Sequence, residues 1–268
     1  MKFLAAAIQM LATPDKEANL NEAEAKVRQA AGRGAGLVVL PEVFNWRGTK
    51  EEEKTAAESI PGPTADLMGR LARELRIHLL AGSLLEDIPS SAKAYNTSLL
   101  FDPEGKLLAR YRKMHLFDVR IGRGVSTMES ETRQHGNEVV VAETSYCPMG
   151  LTICYDLRFP ELFRALASAG AQVIFVPSAF TALTGEAHWE PLLRARAIEN
   201  QVYIIAPNQL GHNPKSFATY GNSMIVDPWG RVAARASDLS TIIFAEIDLA
   251  YLALVRAELP ALTHRKLR

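Results

Sequence analysis

Apolar residues fall along this chain in two rhythms. Short, nearly unbroken runs have the length and boundaries of buried strands: "FLAAAIQM" at 3–10, "GLVVLP" at 36–41, "GLTIC" at 150–154 and "VIFVP" at 173–177. Elsewhere apolar positions recur every three or four residues, which predicts helices. One covers 20–31, with Leu20, Ala23, Val27 and Ala30 on a single face. Others cover 64–76 (Leu67, Leu71, Leu75), 160–169 (Leu162, Phe163, Leu166) and 189–200 (Trp189, Leu192, Leu193, Ile198). Asn19 can cap the first helix, with Glu22 three residues on, and Pro160 suits the first turn of the third.

The pattern repeats. "GAGLVVLPEVF" (34–44) aligns with "GAQVIFVPSAF" (170–180): Gly34, Ala35, Val38, Pro41 and Phe44 match Gly170, Ala171, Ile174, Pro177 and Phe180. "LLFDPEGKLLAR" (99–110) resembles "MIVDPWGRVAAR" (224–235), and Asp-Pro-x-Gly between strand-like flanks predicts a hairpin in each. The repeats lie 136 and 125 residues apart, about half of the 268-residue chain. Two similar α/β halves follow, each a sheet with helices on one face. Stacking the uncovered faces predicts a four-layer αββα sandwich with an internal pseudo-two-fold duplication, built as a single domain over 1–268.

Composition narrows the field. Lys and Arg total 30, as do Asp and Glu, so the formal net charge is zero and no basic footprint for nucleic acid is evident. No apolar run approaches the ~20 residues that cross a bilayer. "MKFLAAAIQM" reads as a strand rather than a signal peptide, since Gln9 interrupts it and no small-residue cleavage site follows. Two cysteines, Cys147 and Cys154, make no disulfide framework and are expected to be unpaired, in a reducing, cytoplasmic setting. The six histidines are scattered without metal-ligand spacing, and no phosphate loop or Gly-x-Gly-x-x-Gly is present, so neither metal nor cofactor is expected.

Candidate chemistry gathers at strand ends, where α/β folds open their crevices. The duplication accounts for Pro41 and Phe44 but leaves Glu42 unexplained, because its counterpart is Ser178. Cys154 ends its own strand just before the helix at Pro160. It is either a core thiol or a nucleophile whose thiolate the helix N-terminus favours. In "ARYRKMHLFD" (109–118), an extended segment would put Tyr111, Lys113 and His115 on one face. Two arrangements stay open at this point: a Cys–His hydrolase with His115 as base, or a Cys–Glu–Lys site with Glu42 as base and Lys113 as a fixed positive charge.

"LPE" (40–42), "YRKMHLFD" (111–118) and "ICYDLRFPEL" (153–162) resemble, in order and separation, the three signature segments of the nitrilase (carbon–nitrogen hydrolase) superfamily. That resemblance implies the αββα sandwich, with Glu42 as general base, Lys113 as electrostatic stabiliser and Cys154 as nucleophile. It also implies a supporting role for Glu129, in "TMESET", although Glu131 lies close by, and an oxyanion contact from the backbone N–H of Tyr155. The segments "PSAFTALTGEAHWEPLLRARAIENQVYIIAPNQ" and "TYGNSMIVDPWG" resemble the Nit branch, whose substrates are linear carboxylated amides such as deaminated glutathione and 2-oxoglutaramate. The same resemblance implies a homodimer formed through helices such as 188–200. Arg158 would suit a substrate carboxylate, or else pair with Asp156 or Glu161, and Phe180 would line the pocket. The Gly-rich, polar segment 120–138 reads as a pocket-shaping loop.

Overall fold

Strand Lys2–Gln9 alternates between two environments: Ala5 and Ala7 belong to one buried cluster, Ala6 and Ile8 to another. The neighbouring strand Leu37–Val39 divides the same way, with Leu37 and Val39 in the first cluster and Val38 in the second. The second cluster contains Ala23, Val27 and Ala30 of helix Lys16–Gly32, and Met68 and Leu71 of helix Pro63–Leu75. The first contains Met149, Leu151, Val173 and Phe175 of the second sheet. One face of the first sheet therefore carries helices and the other packs on a second sheet. This is the predicted αββα sandwich, in a computed structural model that describes residues 1–121, 125–213 and 217–267.

The two halves share a strand order. In the first, Lys2–Gln9, Leu37–Val39 and His78–Leu80 run parallel, and Ala94–Phe101 then pairs antiparallel and continues to Leu107–Arg112. In the second, Met149–Leu151, Val173–Phe175 and Tyr203–Ala206 run parallel, followed by antiparallel Met224–Val226 and Val232–Arg235. The helices Pro160–Ser168 and Ala182–Asn200 occupy the places of Lys16–Gly32 and Pro63–Leu75. Even the hairpin turns match. Asp102 Oδ1 accepts from the N–H groups of Glu104 and Lys106 at 3.0 and 2.8 Å, and Asp227 Oδ1 from those of Trp229 and Arg231 at 2.9 and 2.9 Å. The glycine after each, Gly105 at φ 79° and Gly230 at φ 86°, takes the left-handed conformation that closes the turn.

Two helices start earlier than the apolar period indicates. The first begins at Lys16 and is capped by Asp15, which accepts from the Ala18 N–H at 3.0 Å. Asn19 is not the cap; it is buried inside the helix and donates to the carbonyls of Thr13 and Asn45. Helix Ala182–Asn200 is capped by Thr181 and carries Pro191 in its interior. In both, the opening turn is largely polar or small, so the apolar period begins a turn or two late. Segment 120–138 is not simply a loop: Asp118–Ile121 pairs with Val125–Met128, and a 3-10 turn, Glu129–Glu131, follows. Its residues 122–124 lie outside the described residues. Among the described residues, no helix is long and apolar enough to cross a membrane.

Candidate active site

Glu42 follows its strand into the seam between the sheets and is buried on every side. Its Oε1 accepts from Asn96 Nδ2 at 2.8 Å and Lys113 Nζ at 3.0 Å; its Oε2 accepts from the Ala179 N–H at 2.8 Å. Gln209 Nε2 donates to its carbonyl at 2.6 Å. Asn96 and Lys113 come from the first half, Ala179 and Gln209 from the second, so the duplication folds around this carboxylate. The counterpart Ser178 is also buried, but its hydroxyl turns back to the Val176 carbonyl.

Lys113 leaves strand Leu107–Arg112 and is fastened through its backbone, its N–H donating to Asn96 O at 2.8 Å. Its side chain is 1% exposed, and Nζ lies 3.0 Å from Glu42 and 2.9 Å from Glu129. Burial opposes the charged ammonium, but the two carboxylates outweigh it and hold the group well above its ordinary pKa. Glu129 accepts from Lys113 and the Phe117 N–H on one oxygen and from Arg133 on the other. Burial alone would raise its pKa; Lys113 and Arg133 prevail and lower it to about 2. Glu131 instead pairs with Lys50 in exposed surroundings, which separates the two glutamates that the sequence left adjacent.

Cys154 is the first residue of the 3-10 turn Cys154–Arg158 and sits at φ 47°, a left-handed conformation uncommon for a residue with a Cβ. Its N–H donates to Pro177 O at 3.0 Å. Burial, then the Glu42 charge, pushes its thiol pKa well above the usual range, and Lys113 only partly opposes this. The turn's N-terminus does not make a resting thiolate. The cysteine rests as a thiol hydrogen-bonded to Glu42.

His115 does not join Cys154. Its Nδ1 lies 2.7 Å from Asp156 Oδ1, and its ring stacks on Phe159 with centroids 3.6 Å apart. Tyr111 also donates to Asp156, at 2.7 Å, whereas Lys113 between them turns to Glu42, because the strand ends at Arg112. Asp156 is fully buried and also accepts from the backbone N–H groups of His115 and Ile153. It makes no pair with Arg158. Arg158 lies 3.2 Å from His188 Nδ1, with its guanidinium 5.1 Å from the Phe180 ring centre and 5.8 Å from that of Tyr155. Among the described residues it has no carboxylate partner.

Glu42, Lys113, Glu129 and Cys154 line one cavity of about 420 Å³, together with Tyr155, Arg158 and Phe180. The site residues that the family resemblance implied therefore meet there, whereas His115, the alternative base, does not line it. Asn96, Glu53 and Arg133, which hold the charged groups, escaped notice; only the polar Asn96 in the apolar strand "AYNTSLLF" left a local trace. Among the described residues no cluster could hold a metal ion. Both cysteines are free.

The carbon-nitrogen hydrolase family model matches residues 4–257. The chain belongs to the carbon–nitrogen hydrolase family. This hydrolase is 44% identical to the deaminated glutathione amidase of Synechocystis sp. over 98% of each chain. It is 42% identical to the omega-amidase NIT2-B of Xenopus laevis, over 99% of this chain and 95% of that one. The crystal structure of the C. elegans NitFhit protein superposes with a TM-score of 0.93 at 41% identity, over 99% of this hydrolase and 65% of the worm chain.

Proposed function

We propose that this hydrolase is a single-domain thiol amidase that cleaves a linear carboxylated amide through a Cys154 thioester, with deaminated glutathione as substrate and 2-oxoglutarate and Cys-Gly as products. The observation that carries the reading is the placement of Arg158. It is a half-buried guanidinium without a carboxylate partner among the described residues, on the wall of the cavity that holds the Cys154 thiol, the Glu42 carboxylate and the Lys113 ammonium. A carboxylate-bearing acyl group supplies the charge that such a guanidinium lacks.

In this mechanism Glu42 takes the thiol proton as Sγ attacks the amide carbon. The oxyanion forms against Lys113 Nζ and the N–H of Tyr155, which lies in the first turn of its 3-10 segment and lacks an intrahelical acceptor. Donors fixed in advance of this kind are worth ~3–4 kcal/mol each. The protonated Glu42 gives its proton to the leaving amine, and the thioester remains. Glu42 next takes a proton from water, hydroxide oxygen adds to the thioester, and the released thiolate regains its proton from Glu42. Phe180 backs the acyl chain and stacks near Arg158.

A second reading takes 2-oxoglutaramate as substrate, as an omega-amidase. The likeness to the omega-amidase NIT2-B favours it, and the same acyl group forms the thioester in both. Two unpaired buried cysteines support a reducing, cytoplasmic setting. Ile198, exposed on helix Ala182–Asn200, and Trp229 support a homodimer whose second copy covers them. Intact-protein mass spectrometry on enzyme quenched during turnover tests the reading. A mass increase on Cys154 equal to the 2-oxoglutaryl group is expected with either amide. Absence of any adduct with both, alongside one from a nitrile, rejects it.

A further inference from the structure

The charges that enclose the nucleophile do not stop at Glu129. They form a buried row of alternating sign: Glu42, Lys113, Glu129, Arg133, Glu53. Arg133 Nη1 lies 2.7 Å from Glu129 Oε1, while its Nη2 and Nε reach Glu53 Oε1 and Oε2 at 2.6 and 3.1 Å. Thr132 Oγ1 donates to Glu53 Oε2 at 2.6 Å. The side chains of Arg133 and Glu53 are only 12% and 9% exposed. We propose that Arg133, braced by Glu53, is a positioning residue for the reaction: it fixes Glu129, and through Glu129 the Lys113 ammonium that faces the oxyanion.

Two physical arguments support this. The first is geometric. Lys113 and the Phe117 N–H share one oxygen of Glu129, and Arg133 holds the other. With that oxygen released, the carboxylate turns about its last torsion, which is a broad, soft one. The ammonium then loses the fixed partner that aims it. The second is electrostatic. Without Arg133, two carboxylates, Glu129 and Glu53, remain in a poorly hydrated region with no cation between them. Negative charge developing on the substrate oxygen would then meet their field. Arg133 acts through Glu129, because carboxylates already occupy both sides of its fork. A lysine could restore the charge but not both contacts.

The inference rests on the thiol-amidase reading for its turnover measurement. A second measurement, alkylation of Cys154 by neutral iodoacetamide, is independent of that reading. Arg133→Met is expected to lower kcat about thirtyfold while KM moves less than about threefold, the signature of a group felt mainly in the transition state. It is also expected to slow alkylation of Cys154 about tenfold, because removing a nearby buried positive charge disfavours the thiolate. Peptide mass spectrometry separates Cys154 from Cys147. Arg133→Lys should recover a substantial part of both losses, and Glu53→Gln should lower kcat less than Arg133→Met while leaving alkylation no slower than wild type, because it removes a negative charge from the row. If Arg133→Met does not fold, Arg133→Lys and Glu53→Gln must each show a kcat loss with KM held, and Arg133→Lys must also slow alkylation. Alkylation unchanged in all folded variants overturns the inference, as does a loss confined to KM. A wild-type enzyme that forms no thioester removes the amidase reading alone, and alkylation still decides the role of Arg133.

Discussion

Cys154, the proposed nucleophile, is held in its unreactive form at rest. Thiolate, the reactive form, is disfavoured here by burial and by the Glu42 charge, with Lys113 opposing. On the proposed mechanism a base in contact with the thiol solves the difficulty, because the proton leaves only when a carbonyl carbon is there to accept the sulfur electrons. Resting reactivity should therefore be low and rise with pH. Alkylation of Cys154 by iodoacetamide is expected to be slower at pH 7.5 than that of a free cysteine in a peptide, and to increase well past pH 9. A plateau reached below pH 7 would mean a resting thiolate and would refute the thiol–Glu42 ground state. Glu42 itself differs from its counterpart Ser178 by chemistry rather than place, since both are buried after equivalent strands. The duplicated frame supplied two equivalent positions, and one of them holds the proposed base.

At the scale of elements, a single carboxylate joins the lysine-bearing segment to the cysteine-bearing turn. Asp156 accepts from the Tyr111 hydroxyl at 2.7 Å and the His115 N–H at 3.0 Å on one side, and from the Ile153 N–H at 2.8 Å on the other. These contacts brace a turn whose first residue, Cys154, has positive φ. Asp156→Asn keeps the shape but turns an acceptor into a donor facing N–H groups. It is expected to lower Tm by several degrees and to reduce kcat about tenfold or more, with His115→Ala milder in both. Thermal melts and steady-state kinetics check this; an Asp156→Asn enzyme equal to wild type in both would dismiss the brace. The sequence placed Tyr111 and His115 on one face and Lys113 with them. It could not reveal that Lys113 diverges, because the end of a strand is set by partners elsewhere in the sheet. Arg158 was likewise undecided between Asp156 and a ligand, and only the full set of hydrogen bonds to Asp156 excludes that pairing.

For the whole molecule, legibility follows the range of the interaction. The αββα layers and the two halves were readable because apolar periodicity and repeated turns are local, whereas Glu42, Lys113 and Cys154 were singled out together only by the resemblance of their three short motifs to the nitrilase superfamily. Glu53 and Arg133 were not, since their contact spans 80 positions and leaves no pattern in either neighbourhood. That long-range row also sets how the fold responds to acid. Glu129 has a folded pKa of about 2, against about 4.3 for an unfolded glutamate. A carboxylate depressed on folding contributes stability that is complete above its unfolded pKa and disappears as pH falls through its folded value. Glu58 and Glu86 act in the same direction: burial raises each, but Lys16 and Thr64 at Glu58, and Arg112 and Thr97 at Glu86, outweigh it. All three lie in the first half of the chain. Stability is thus expected to decline steeply between about pH 5 and pH 2. Glu129→Gln should be less stable than wild type at pH 6, because Lys113 and Arg133 lose the charge between them, yet its stability should fall less steeply below pH 5. Urea unfolding midpoints at pH 6, 5, 4 and 3 measure both effects. Parallel pH dependences for the two proteins would show that Glu129 does not carry the acid sensitivity of the fold.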